Sequence, residues 1–294
     1  VFNFITPLTT DDFNQDVDFI IDNFIPERMI TMIYADGGNG KSWLALGLAN
    51  IAASYDMQVI YLDYDNPINT LKERGVEAKL IDYYDNLFYS HRSKAIAPTV
   101  MLEALEQRAI GQAFENTLII IDSLRNFGDM KNDLSAMRVC EKLMNIREAG
   151  ATIVALHHST KNGSNYEGSN NLRNSIDNMY RLNKAQSPEG TIKWWLEVKK
   201  ERAAIQDCAF ELNVDDFVMR EISLNEVKLT DDERDFIDAV KSALANSTTL
   251  NKTKLLKQLG YEKDNILARD RLDKFDGSHW KSTKSQRSLV YELI

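Results

Sequence analysis

The sequence holds only two cysteines, Cys140 and Cys208, among its 294 residues. So few exclude a disulfide framework and fit a reducing compartment. No apolar run reaches membrane-spanning length, and the N-terminus does not resemble a signal peptide. The expected location is therefore cytoplasmic, with no membrane partner. Positive charge is also short: 35 Lys/Arg against 44 Asp/Glu give a net charge of −9, which argues against nucleic-acid binding by average charge. An initial methionine is missing too, and the opening at Val1 is what a piece of a longer protein would show.

What is present begins with 44% hydrophobic residues, enough for a sizeable core, and a length that suits one large domain plus a smaller one. The charge is segregated. Between Asn251 and Arg287 ten Lys/Arg face five Asp/Glu; that local +5 against −9 overall leaves −14 on the remainder. The basic end is a candidate nucleic-acid or partner surface, with a solvated tail as the alternative.

From residue 29 to 160 short apolar runs alternate with helical patterns. MITMIYA (29–35), QVIYLDY (58–64), LFYSH (87–91), TLIIID (117–122) and TIVALHH (152–158) read as strands. KSWLALGLANIAASY (41–55) reads as a helix, and so does LSAMRVCEKLMNIREA, which Gly150 stops. Continuous apolar strands separated by helices predict an α/β fold with a mainly parallel sheet covered on both faces. Ligands on such sheets bind at the carboxyl ends of the strands.

At one such end stands ADGGNGKSW, a phosphate-loop pattern whose first glycine is replaced by Ala35. It lies directly after a predicted strand and before a predicted helix, the context that gives the motif its meaning. Gly37, Gly38 and Gly40 let the backbone aim N–H groups at an anion, where the helix dipole adds to them. The cradle comprises Asp36, Gly37, Gly38, Asn39, Gly40, Lys41, Ser42 and Trp43. Lys41 reaches the β- and γ-phosphates of ATP, and the Ser42 hydroxyl holds Mg²⁺. Asp122, closing TLIIID, is the matching carboxylate on the magnesium side.

Hydrolysis needs a base for the attacking water. Asp65, just past the strand in VIYLDYDNP, is the candidate, with Asp63 as its alternate. Arg74 is placed to reach back toward the same site or to remain a solvated helix residue. His157 and His158 end another strand. They point to opposite faces, and no Cys or His cluster accompanies them, so a γ-phosphate sensor is favoured over a metal site.

FIPERMITMIYADGGNGKSWLALGLA, VIYLDYDNP, TLIIIDS and LHHSTKN, in this order, resemble the RecA-type ATPase core of plasmid RepA-like replicative helicases, with DnaB-type helicases showing a similar layout. The resemblance covers about 25 to 225. It implies an ATP-hydrolysing DNA helicase of replication, a ring hexamer with ATP between neighbours that moves on single-stranded or forked DNA. A primase or polymerase part preceding it in the same chain is a further expectation. Where that family usually has Glu as the base, this chain has Asp65. The paired histidines match His157 and His158. A trans-acting arginine is implied at Arg202, within Lys200-Glu201-Arg202, or at Arg181.

The polar segments 125–133 and 161–171 read as loops. In a ring they would line the channel and touch single-stranded DNA through Lys131, Lys161 and Tyr166. The domains are expected at 1–228 for the ATPase and 229–294 for a winged-helix-like module of three helices and a hairpin. Thr230 would cap its first helix. Arg269 and Arg271 on its third helix, with Lys281, Lys284 and Arg287 on the wing, would form a DNA face, or the module would serve as a protein-docking unit. The competing functions are a RecA- or KaiC-type ATPase that binds DNA without unwinding, and a nucleotide-switched DNA-binding regulator.

Overall fold

A computed structural model of the chain describes residues 6–10, 17–161, 163, 165–246, 250–285 and 288–294. The chain divides into two compact units, Val1–Val227 and Lys228–Ile294.

In the first unit the strands are β1 (Phe19–Ile21), β2 (Ile25–Pro26), β3 (Ile30–Ala35), β4 (Gln58–Asp63), β5 (Leu87–His91), β6 (Thr117–Asp122), β7 (Ala151–His158), β8 (Asn178–Ala185), β9 (Thr191–Lys200), β10 (Cys208–Asn213) and β11 (Met219–Glu221). The helices are α1 (Lys41–Ser54), α2 (Ile68–Arg74), α3 (Pro98–Glu106), α4 (Asp133–Glu148), α5 (Asn170–Ser175) and α6 (Leu224–Val227). Nine strands form one sheet in the order β11-β10-β9-β8-β3-β7-β6-β4-β5. The six from β8 to β5 run parallel, and β9, β10 and β11 continue antiparallel. This is the mainly parallel α/β architecture that the alternating apolar runs predict.

The unbroken apolar strands follow from burial on both faces. Ile33, Ala35, Val154 and Leu156 pack with Leu44, Leu48 and Ala52 of α1. Met32, Tyr34, Ile153 and Ala155, one residue out of phase, pack with Val139, Leu143 and Ile146 of α4. The Asn132 side chain accepts the Ser135 N–H at the start of α4, and Gly150 leaves its end at φ 100°. β5 and β11 are the sheet's edge strands, and Phe88 on β5 is exposed.

The segment 125–133 is not the plain loop its composition suggests. Leu124–Phe127 is a single 3-10 turn whose Phe127 is buried, and Met130 is buried behind it. Tyr166 is half-buried and packs edge-on against Tyr34 with ring centroids 6.1 Å apart.

The second unit has α7 (Asp231–Ala245), β12 (Leu250–Asn251), α8 (Lys252–Gln258), α9 (Ile266–Lys274), β13 (Trp280–Ser285) and β14 (Ser288–Leu293), with strand order β12-β14-β13. Thr230 and Glu233 form a capping box at the start of α7. Trp280, Tyr291, Phe236, Leu255 and Leu272 share one core. Arg271 does not face outward as expected. It lies over the Phe236 ring at 5.8 Å and pairs with Asp232 at 3.7 Å, because its helix face is the one turned toward α7. Arg287 lies outside the described residues.

Among the described residues no helix is long and apolar enough to cross a membrane.

Candidate nucleotide-hydrolysis site

β3 ends at Ala35, and residues 36–40 turn directly into α1. Gly38 and Gly40 take φ of 79° and 84°, conformations open to glycine at no steric cost. Ala35 does not, so its replacement of the usual glycine strains nothing. The Asp36 carboxylate accepts the Gly37 N–H at 2.8 Å. From β9, the buried Trp194 donates its indole N–H to the Asn39 carbonyl at 2.8 Å. A Cβ on Gly40 would stand 2.9 Å from that same indole nitrogen.

Lys41 is buried, and its ammonium donates to the carbonyls of Ala35 and Asp36 at 2.9 and 3.0 Å. Desolvation lowers its pKa against the raising effect of Asp122 and Asp65. To reach a phosphate the side chain must release those two carbonyls, which an anion at the loop makes favourable.

Four acidic and amide groups gather beside the loop. Asp63 and Asp122 end adjacent strands, paired in register, and both are buried. Burial, then the neighbouring Asp63 charge, pushes the Asp122 carboxyl up to about 6, while a Ser42 hydrogen bond opposes this. The Tyr61 hydroxyl donates to Asp122 at 3.2 Å, and Tyr89 donates to Asp63 at 2.7 Å. Their rings stack at 4.6 Å. Asp63 also accepts the backbone N–H groups of Asp65 and Asn66 at 3.1 and 2.9 Å, so it shapes the turn. Asp65 emerges from that turn partly exposed and pairs with Arg125 at 2.9 Å. Arg74 does reach back: it donates to the Asn66 side chain at 3.4 Å and lies over Trp43 at 5.0 Å.

His157 and His158 fall on opposite faces of β7, as alternation requires. His157 is buried and its Nε2 meets the Glu167 carbonyl; burial lowers its pKa to about 4. His158 feels Lys41, Arg125 and Asp65, and desolvation followed by Lys41 lowers its pKa. Its Nε2 has no partner among the described residues.

Lys200 and Arg202 stand apart from this group. Lys200 donates to the carbonyls of Arg173 and Asn174 at 2.6 and 3.1 Å, and Arg202 pairs with Asp177 at 2.8 Å. Arg147 holds the other side of Asp177, which also accepts the Ile30 N–H. That corner lies at the start of β3, about 16 Å of strand from Ala35. Arg181 is nearer the loop end, opposite Tyr34 on β8. The reading of motifs did not single out Trp194, Asn66, Arg125, Tyr61 or Tyr89. Only Trp194 carried a signal, as a buried-strand tryptophan, and nothing in its sequence neighbourhood pointed to residue 39.

Ser42 and Asp122 offer hard oxygen ligands of the kind Mg²⁺ takes together with substrate phosphates and its own waters. No group of three or more His, Cys, Asp or Glu among the described residues forms a metal cage by itself. A phosphate loop at the carboxyl end of β3, a buried lysine and an acid on a nearby parallel strand define a P-loop nucleotide-binding α/β protein. The AAA domain family (AAA_25) matches residues 11–164, more than half the chain, and the chain belongs to it. That family, together with the phosphate loop, makes it a P-loop protein of the ATPase kind. No curated protein sequence matches it. Similar solved structures include the RadB recombinase, at 15% identity over 68% of this chain and 93% of that one with a TM-score of 0.48. The flagellar accessory protein FlaH from Methanocaldococcus jannaschii is at 16%, covering 68% and 91%, with a TM-score of 0.47.

Proposed function

We propose that the chain hydrolyses ATP to move on DNA, as a replicative helicase working as a ring hexamer. In this reading Lys41 neutralises the β- and γ-phosphates, and Ser42 and Asp122 hold Mg²⁺, which supplies charge stabilisation for the transferring phosphoryl group. Asp65 takes the proton of the attacking water. His158 senses the γ-phosphate, and Arg181 or Arg202 serves a neighbouring subunit's site.

One observation carries the step from ATPase to motor. The segments after β6 and β7 are joined to each other by the Lys131–Glu167 pair at 2.6 Å. Each is also joined to the hydrolysis residues, through Arg125 on Asp65 and through the Glu167 N–H on the His158 carbonyl. A change at the γ-phosphate thus has a short covalent and hydrogen-bonded route to two polar surface segments that carry Lys131 and Lys161. The second unit, with three helices and a three-stranded sheet, is proposed as a winged-helix module that holds forked DNA. The alternatives are a RecA- or KaiC-type ATPase without unwinding and a nucleotide-switched regulator.

ATP-dependent opening of a forked duplex, absent in Lys41→Ala, is the expected result. DNA-stimulated ATPase with no strand separation would favour the RecA- or KaiC-type alternative. DNA binding with no stimulation would favour the regulator.

A further inference from the structure

The role of Asn66 is not exhausted by the turn it sits in. Its side-chain nitrogen lies among four oxygens: Asp122 Oδ2 at 3.0 Å, Asp63 Oδ1 and Oδ2 at 3.1 Å each, and Ser42 Oγ at 3.4 Å. The amide oxygen faces the other way and accepts from Arg74. An NH₂ toward carboxylates and a carbonyl toward a guanidinium is the orientation the charges require. The main chain is anchored independently, with the Asn66 N–H on Asp63 at 2.9 Å and its carbonyl on His91 Nε2 at 2.8 Å. The side chain is thereby aimed at these oxygens by a turn that the side chains of Ser42 and Asp122 do not build.

We infer that Asn66 is a positioning residue that competes with the divalent cation for Ser42 and Asp122. The inference rests on the ATP–Mg²⁺ reading of the site. Magnesium demands ligand lone pairs directed at it from about 2.0–2.1 Å, and a lone pair engaged by an N–H is not so directed. Two buried carboxylates without a cation need donors, and the Asn66 amide with the two tyrosines supplies them. The amide occupies one of the several lone pairs of Asp122 and the single side-chain oxygen of Ser42, so a cation taking those same lone pairs displaces it and leaves it on Asp63 and Arg74. Asn66 sets the cation affinity below what Ser42 and Asp122 alone would give.

The sign of this effect separates it from a merely structural role. Mn²⁺ is the probe, its binding to the full chain with ADP followed by electron paramagnetic resonance alongside thermal unfolding. Asn66→Ala should bind Mn²⁺ more tightly, on the order of tenfold, as expected for removing hydrogen bonds to charged groups from the competing state. It should also unfold at lower temperature without divalent cation. Asn66→Leu, close in shape and lacking the donor, carries the same test if the alanine variant fails to fold. Unchanged or weaker Mn²⁺ binding would overturn the inference while leaving the ATP site intact. No Mn²⁺ binding in the wild-type chain either would overturn the reading of the site and this inference with it.

Discussion

Trp194 donates its indole N–H to the carbonyl of Asn39, 155 residues earlier in the chain, at 2.8 Å. The bond ties the phosphate loop to the antiparallel extension of the sheet. Because the indole also occupies the space a Cβ on Gly40 would need, the glycine is required twice, by its φ and by its neighbour.

Trp194→Phe removes the bond and part of the wall behind the loop. The expected loss is about 1–2 kcal/mol of stability, together with a several-fold weaker nucleotide affinity. Thermal unfolding and a nucleotide titration measure the two. A lowered Tm with unchanged affinity would show that the loop holds its shape without Trp194.

Asp63 and Asp65 should separate cleanly. Asp65→Asn is expected to bind ATP and turn it over at least a hundredfold more slowly, since an amide cannot accept the water's proton. Asp63→Asn should instead lower stability by about 1–3 kcal/mol, because the buried carboxylate accepts from two backbone N–H groups and Tyr89. Wild-type turnover in Asp65→Asn would remove it as the base.

His157 makes stability depend on pH. Its folded pKa of about 4 lies below the model-peptide value of 6.5, so the unfolded chain binds the extra proton first as pH falls. Its contribution is complete above 6.5 and is lost progressively toward 4, on the order of 3 kcal/mol in all. Asp122, raised to about 6, acts in the opposite sense and stabilises as pH falls. The informative quantity is therefore the difference between wild type and His157→Gln. The variant should lose less stability between pH 7 and 5 in denaturant melts. Parallel curves would mean that His157 is not held neutral.

Arg202 and Arg181 divide by mixing. Arg202 is tied to the buried Asp177, so Arg202→Ala should destabilise the fold by about 1–2 kcal/mol. Arg181→Ala should leave the melt nearly unchanged. If either arginine acts across a subunit boundary, mixing that variant with Lys41→Ala subunits should restore part of the ATPase, because one interface then pairs an intact loop with an intact arginine. Recovery with neither variant, under conditions where subunits exchange, would exclude a trans role for both.

The α/β class, the phosphate loop, Asp122 at a strand end and the opposed faces of His157 and His158 were all readable from the chain. Each depends on periodicity or on residues adjacent in sequence. A buried strand has to be apolar along its length, a phosphate loop needs its glycines within a few positions, and alternation along a strand is local geometry. Tertiary structure alone decided which residues meet across the sheet. It set Trp194 against Asn39, Asn66 between Asp63, Asp122 and Ser42, Arg125 on Asp65, and Arg202 on Asp177. It also turned Arg271 toward Phe236, where composition suggested an exposed contact. Apart from Asn66 and Asp63, three positions apart, those partners lie tens to more than a hundred residues apart, and strand order and packing, which no local pattern encodes, bring them within hydrogen-bonding or packing distance.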